Sequence, residues 1–111
     1  MAGFALLCTL ALASAALAVE TLTAAEQHPA RVNVAIENYA FQPDPVTVAV
    51  GTTVVWTNRD EVTHTVVGAD KSFSSPELEP NHSFEFTFKK AGTFPYSCTL
   101  HPEMKGKVIV K

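Results

Sequence analysis

The chain has 111 residues, 47% of them hydrophobic and 17% charged, with a formal net charge of −3. That length fits one domain. All the charged side chains lie after position 18 and are dispersed, and an acidic balance of this kind argues against a nucleic-acid partner.

Met1 to Ala18 carries no charged side chain, runs through Phe4-Ala5-Leu6-Leu7-Cys8 and ends in Ala16-Leu17-Ala18. An apolar run closing on small residues reads as a secretory signal peptide over 1–18, with the periplasm as the expected destination. The alternative is an uncleaved membrane anchor, although the run is short of the about 20 residues usual for a span. Cleavage after Ala18 removes Cys8 and leaves Cys98 as the mature chain's one cysteine. An unpaired thiol in an oxidising compartment is a liability unless something occupies it, and a metal–thiolate bond would do so.

Residues 19–30, rich in Ala and Thr and without a period, read as a flexible arm; a domain is expected over 31–111. Val32, Val34 and Ile36 alternate with other residues at the period of two that marks a half-buried strand. Pro43-Asp44-Pro45 breaks the chain, Val46, Val48 and Val50 alternate again, and Gly51-Thr52 turns it into Thr53-Val54-Val55-Trp56-Thr57, a second strong strand. Arg59-Asp60-Glu61 reads as a solvated turn. Thr63 to Val67 is short and β-branched, and Lys71 to Asn81, with Pro76 and Pro80, reads as a long irregular connection. Phe84, Phe86 and Phe88 place three rings on one face of a strand; these and Trp56 are candidate core. Thr93 to Ser97 and Gly106 to Val110 complete the set. About seven to eight short strands with regular turn signals and no helix predict an all-β fold, an antiparallel Greek-key β-sandwich.

The stretch Cys98-Thr99-Leu100-His101-Pro102-Glu103-Met104 places a thiol, an imidazole and a thioether at intervals of three between two strands. Residues i and i+3 line up on one side of a turn-like loop, so the three can converge. His64 offers a second imidazole from a neighbouring segment. One Cys, two His and a weak axial Met make a blue-copper donor set; zinc sites rarely use Met, and iron–sulfur clusters usually need several cysteines. The candidate metal ligands are therefore His64, Cys98, His101 and Met104. His28 in the arm and His82 in a loop read as surface residues.

Trp56-Thr57-Asn58-Arg59, His64-Thr65-Val66 and Cys98-Thr99-Leu100-His101-Pro102-Glu103-Met104-Lys105-Gly106-Lys107-Val108 carry a family resemblance. From about Arg31 to Lys111 the chain resembles the small cupredoxins of the amicyanin, pseudoazurin and plastocyanin group, and amicyanin most of all. The two-residue gaps on both sides of His101 are the specific part of the likeness. The resemblance implies one type 1 copper on the four candidate ligands. It also implies that the Thr65 N–H donates to the Cys98 sulfur and that Asn58 ties the ligand loop to the framework. Thr63 stands where the family often has Pro before the first His, Leu100 where many relatives have Pro, and Glu103 where a relative carries an apolar residue.

The expected role is a soluble exported carrier of single electrons, cycling Cu(I)/Cu(II) without substrate turnover. It would act as a monomer and dock transiently near His101 with a redox partner protein: a dehydrogenase, cytochrome or oxidase. Two alternatives belong to other classes. A copper chaperone or store is expected to use exchangeable Met- or His-rich clusters. An enzyme could use Cys98 and His101 as a nucleophile pair, but no orienting acid or oxyanion motif accompanies them.

Overall fold

Among the described residues eight strands form, the longer ones from segments with β-branched or aromatic residues in alternation: β1 (Arg31–Glu37), β2 (Ala40–Gln42), β3 (Val46–Val48), β4 (Thr53–Asn58), β5 (Val67–Gly68), β6 (Ser83–Thr87), β7 (Gly92–Ser97) and β8 (Lys105–Val110). The computed structural model describes residues 30–111. The expected signal peptide over 1–18, Cys8, His28 and all but the last residue of the expected arm lie outside the described residues.

The strands build two four-stranded sheets, ordered β2-β1-β4-β6 and β3-β8-β7-β5. From β2 onward the chain changes sheet at almost every connection, which closes the expected all-β sandwich. Its pairing is a correction to the antiparallel expectation. β1 runs parallel to β4, with Val34 opposite Trp56, and β3 runs parallel to β8, with Thr47 opposite Ile109. Both sheets are therefore mixed. The physical reason is the crossing itself: strands that return to a sheet after a passage through the other one are free to enter in either direction, whereas a tight hairpin forces reversal.

Local pattern located most elements and missed one. The three-residue β2 lies between a turn and Pro43, too short to display a period. Thr63 to Val67, expected as a strand, is held mainly by isolated bridges, His64 to Leu78 and Val67 to Ser74, before the short β5. The irregular connection over 71–81 is the partner in those bridges, and it is anchored by the buried side chains of Phe73 and Leu78.

Between the sheets, Trp56 is fully buried. Its ring centroid lies 5.3 Å from Tyr96, 5.8 Å from Phe73, 5.9 Å from Phe84 and 6.5 Å from Phe88. Phe84 and Phe86 face Trp56 and Val54 across β4–β6 and are partly buried, while Phe88 is buried outright. Burial pushes the Tyr96 phenol up to about 12; the Asp44 carboxylate adds to the rise and the nearby Trp56 N–H opposes it. The neutral phenol is the form the fold prefers, so its contribution is complete below the unfolded value near 10 and is lost as the pH climbs through about 12. Between those values Tyr96→Phe is expected to lose stability less steeply than the parent, by up to about 1.4 kcal/mol per pH unit. Urea melts across that range measure the difference, and equal slopes would count against a buried, neutral phenol.

Gly106 pairs with Tyr96 across β7–β8. A Cβ on Gly106 would stand 2.7 Å from both Cζ and Oη of the Tyr96 ring, so the ring lies where a side chain would be. Gly106→Ala is expected to cost about 1–3 kcal/mol, the range for overpacking a filled interior. Denaturant unfolding checks it; an unchanged midpoint would mean that Tyr96 moves aside freely.

Candidate metal centre

The β7–β8 hairpin builds most of the site. Its register pairs Ser97 with Lys105. One step further places Cys98 opposite Met104, and the Cys98 N–H donates to the Met104 carbonyl over 3.1 Å. His101 then falls at the tip of the loop, where the Met104 N–H closes a turn onto the His101 carbonyl at 2.9 Å. Strand alternation does the rest. Tyr96 in β7 and Cys98 just past it, like Val108 in β8 and Met104 just before it, are all buried. The three-residue spacing thus puts a thiol and a thioether at the mouth of the hairpin, on the core side, and an imidazole at its half-buried apex.

His64 comes from the other side. Its backbone makes two hydrogen bonds with Leu78, N–H to carbonyl at 3.1 Å and 2.7 Å in the two directions. Its side chain is fully buried. The outer nitrogen, Nε2, donates to Asp60 Oδ2 over 2.8 Å, which leaves Nδ1 facing Cys98 Sγ at 3.6 Å. His101 likewise presents Nδ1 to the sulfur, at 3.7 Å. One donor atom from each of His64, Cys98 and His101 lies within 4.8 Å of the others.

The sulfur is supported from behind. The Thr65 N–H donates to Cys98 Sγ over 3.3 Å. The Thr65 hydroxyl lies 3.8 Å from the same sulfur, accepts the Thr99 N–H at 2.8 Å and shares a 2.8 Å bond with the Thr99 hydroxyl. Hydrogen bonds to a sulfur ligand fix its orientation and tune its donor strength. Among the described residues no other trio of His, Cys, Asp or Glu gathers in this way.

A buried thiol with two imidazole nitrogens aimed at it, one of them locked into its tautomer by a carboxylate, is a soft, pre-oriented donor set of the type that copper and zinc take.

The chain matches the cupredoxin-like domain over residues 4–110.

It belongs to the cupredoxin family.

It is 38% identical over 105 residues to amicyanin-alpha of Methylorubrum extorquens, covering 89% of this chain and 88% of that one. To amicyanin of Paracoccus denitrificans it is 34% identical over 93 residues, covering 79% and 71%. Among solved structures, a reduced variant of amicyanin superposes with a TM-score of 0.70 at 32% identity, covering 78% of this chain and 88% of that one. A purple cupredoxin from Nitrosopumilus maritimus gives 0.69 at 31% identity, covering 72% and 99%.

Within this cupredoxin the Asn58 side chain does something other than the resemblance implied. Its two N–H donors go to the Val62 carbonyl at 2.7 Å and the Leu78 carbonyl at 2.8 Å, and its oxygen accepts the Asp60 N–H at 2.9 Å. With both donors taken, none is left for the Cys98–Met104 loop. Asn58 braces the segments around His64, and Thr65 with Thr99 makes the tie to the ligand loop. Asp60 is the second correction. Read as part of a solvated turn, its side chain is only 12% exposed and is bonded to a site histidine. Burial alone would raise its carboxyl. The N–H groups of Tyr39 and Asn38 and the His64 ring outweigh that and hold it below the usual carboxylate range. The signal was present in the spacing of four between Asp60 and His64, but in a loop that spacing has no fixed direction. His82 is exposed and does not belong to the trio.

Proposed function

We propose that this cupredoxin is an exported one-electron carrier in which His64 Nδ1, His101 Nδ1 and Cys98 Sγ would hold a single type 1 copper, with the Met104 thioether as a further, weaker donor. The convergence of the three donor atoms within 4.8 Å carries the reading. Bound there, copper supplies a Cu(I)/Cu(II) couple at one site. The chain's own contribution is rigidity and dryness. His64, Cys98 and Met104 are buried, and two backbone hydrogen bonds hold His64. A framework that moves little between oxidation states keeps the rearrangement cost of electron transfer low.

His101 is the half-buried ligand, so it is the port. Of the exposed large apolar side chains among the described residues, Leu100 at 44% neighbours it in sequence and Tyr39 at 50% lies against its ring. With the exposed Pro102 they form a small apolar face suited to brief docking with a dehydrogenase, cytochrome or oxidase. Exposed Glu103 on the same loop adds one negative charge to what the partner meets. Two further points support the reading. Cys98 is 0% exposed, which leaves a substrate no approach to it as a nucleophile. The donors form one compact, pre-oriented site, unlike the exchangeable clusters of a copper store. No helix among the described residues is long and apolar enough to cross a membrane, and the leader points to the periplasm, with action as a monomer.

The test is visible absorption and electron paramagnetic resonance of the mature protein with Cu(II), then ascorbate. An intense blue thiolate-to-copper band with small hyperfine splitting, bleached by ascorbate, is expected. A pale tetragonal spectrum would overturn the reading in favour of metal handling or a structural sandwich.

A further inference from the structure

β1 and β2 are joined by the two-residue turn Asn38-Tyr39, with Glu37 paired to Ala40. Both turn residues have φ of 57°, in the left-handed region. A two-residue hairpin of this kind favours Asn then Gly, because its second position crowds any Cβ. Asn38 obeys that rule and Tyr39 breaks it. A bulky side chain held in that region marks a place where the surroundings enforce the conformation.

The enforcing group is Asp60. Its Oδ1 accepts the Asn38 N–H at 2.7 Å, and its Oδ2 accepts the Tyr39 N–H at 2.9 Å. The same Oδ2 receives the His64 Nε2–H at 2.8 Å. One carboxylate thus joins the strained turn to a site histidine. The result is placement of the Tyr39 ring: its centroid lies 5.5 Å from that of His64 at 90°, and 5.0 Å from that of His101 at 87°. The two imidazoles are themselves 5.0 Å apart. His101 has fewer partners than His64. Among the described residues no hydrogen bond reaches its Nε2, whereas the equivalent atom of His64 is fixed by Asp60.

We propose that Tyr39 is a positioning residue of the metal site, held by Asp60 in a strained turn so that its ring fixes the His101 imidazole from the solvent side. The proposal rests on His101 being a metal ligand. The ring does the work and the hydroxyl does not, since the phenol oxygen makes no hydrogen bond among the described residues.

The discriminating variant is Tyr39→Gly, compared with Tyr39→Phe, in the mature chain. Glycine relieves the backbone, so the metal-free protein is expected to melt at or above the parent temperature. The loss of the ring is expected to loosen His101: carbon-13 relaxation should report a more mobile imidazole in the metal-free protein. A chelator should strip Cu(I) about tenfold faster from the loaded protein. Tyr39→Phe should match the parent in all three. A folded Tyr39→Gly with parental His101 order and parental release would overturn the proposal, and so would a lower melting temperature, which would make Tyr39 an ordinary packing residue. The relaxation measurement needs no copper, so absence of a blue band in the parent would sink the electron-carrier reading while His101 order still decided the role of Tyr39.

Discussion

Cys98→Ser is expected to abolish the intense visible band of the copper-loaded protein while leaving the fold intact. The sulfur is the atom on which the site converges, with His64 Nδ1 at 3.6 Å and His101 Nδ1 at 3.7 Å. It is also the soft donor that makes the set select copper in this geometry. A serine oxygen sits on a shorter bond, is a hard donor, and is protonated at neutral pH. The thiolate-to-copper charge transfer disappears with the thiolate, so the expected loss is complete. The fold should tolerate the change. Serine has nearly the same volume, and its oxygen can accept the Thr65 N–H that now goes to the sulfur at 3.3 Å. Stability is therefore expected to fall by only about 1 kcal/mol, the scale of one altered hydrogen bond. Any remaining Cu(II) should give a pale, tetragonal spectrum. The mature chain expected from cleavage after Ala18 holds no second cysteine, so an intense band that survived in Cys98→Ser would remove the thiolate assignment.

The four donors were legible because their chemistry is rare and three of them share one hairpin. Cys98, His101 and Met104 fall at the mouth, tip and mouth of a loop whose flanking strands, with Phe94 and Tyr96 on one side and Val108 and Val110 on the other, announce themselves by period. His64 gained meaning only from that loop. The supports were less legible for a common reason: they depend on contacts between segments far apart in the chain. Asn38 and Asp60 are 22 positions apart, and Thr65 and Thr99 are 34. Asp60 in Arg59-Asp60-Glu61 has the composition of a solvated turn, and nothing local says that a hairpin from β1–β2 will fold over it. Tyr39 is harder still, because its side chain contradicts the turn it occupies and only the fold explains why it stays. The parallel pairings were hidden likewise: alternation in Val32, Val34 and Ile36 tells which face is buried but not which way the neighbour runs.

Asn58→Ala is expected to be strongly destabilising, by about 3 kcal/mol or more. The side chain is 0% exposed, at the end of β4. Truncation removes three hydrogen bonds at once: it strands the Val62 carbonyl and the Asp60 N–H and leaves the Leu78 carbonyl with the His64 N–H alone. A buried polar group left without a partner costs about 1–3 kcal/mol, and the three share one network, so they do not simply add. For a domain of this size the melting temperature should fall by roughly 10–20 °C. The damage should also reach the metal site, because Leu78 makes the bridge that holds His64 and Asp60 orients its ring. Asn58→Asp separates bonding from volume. It keeps the shape but turns two donors into acceptors facing the Val62 and Leu78 carbonyls, so repulsion replaces attraction. It is expected to melt at least as low as Asn58→Ala and to take up copper more weakly than the parent. Should Asn58→Asp melt with the parent, the amide's donors would not be what holds the His64 segment, and the brace would have to lie in the His64–Leu78 bridge alone.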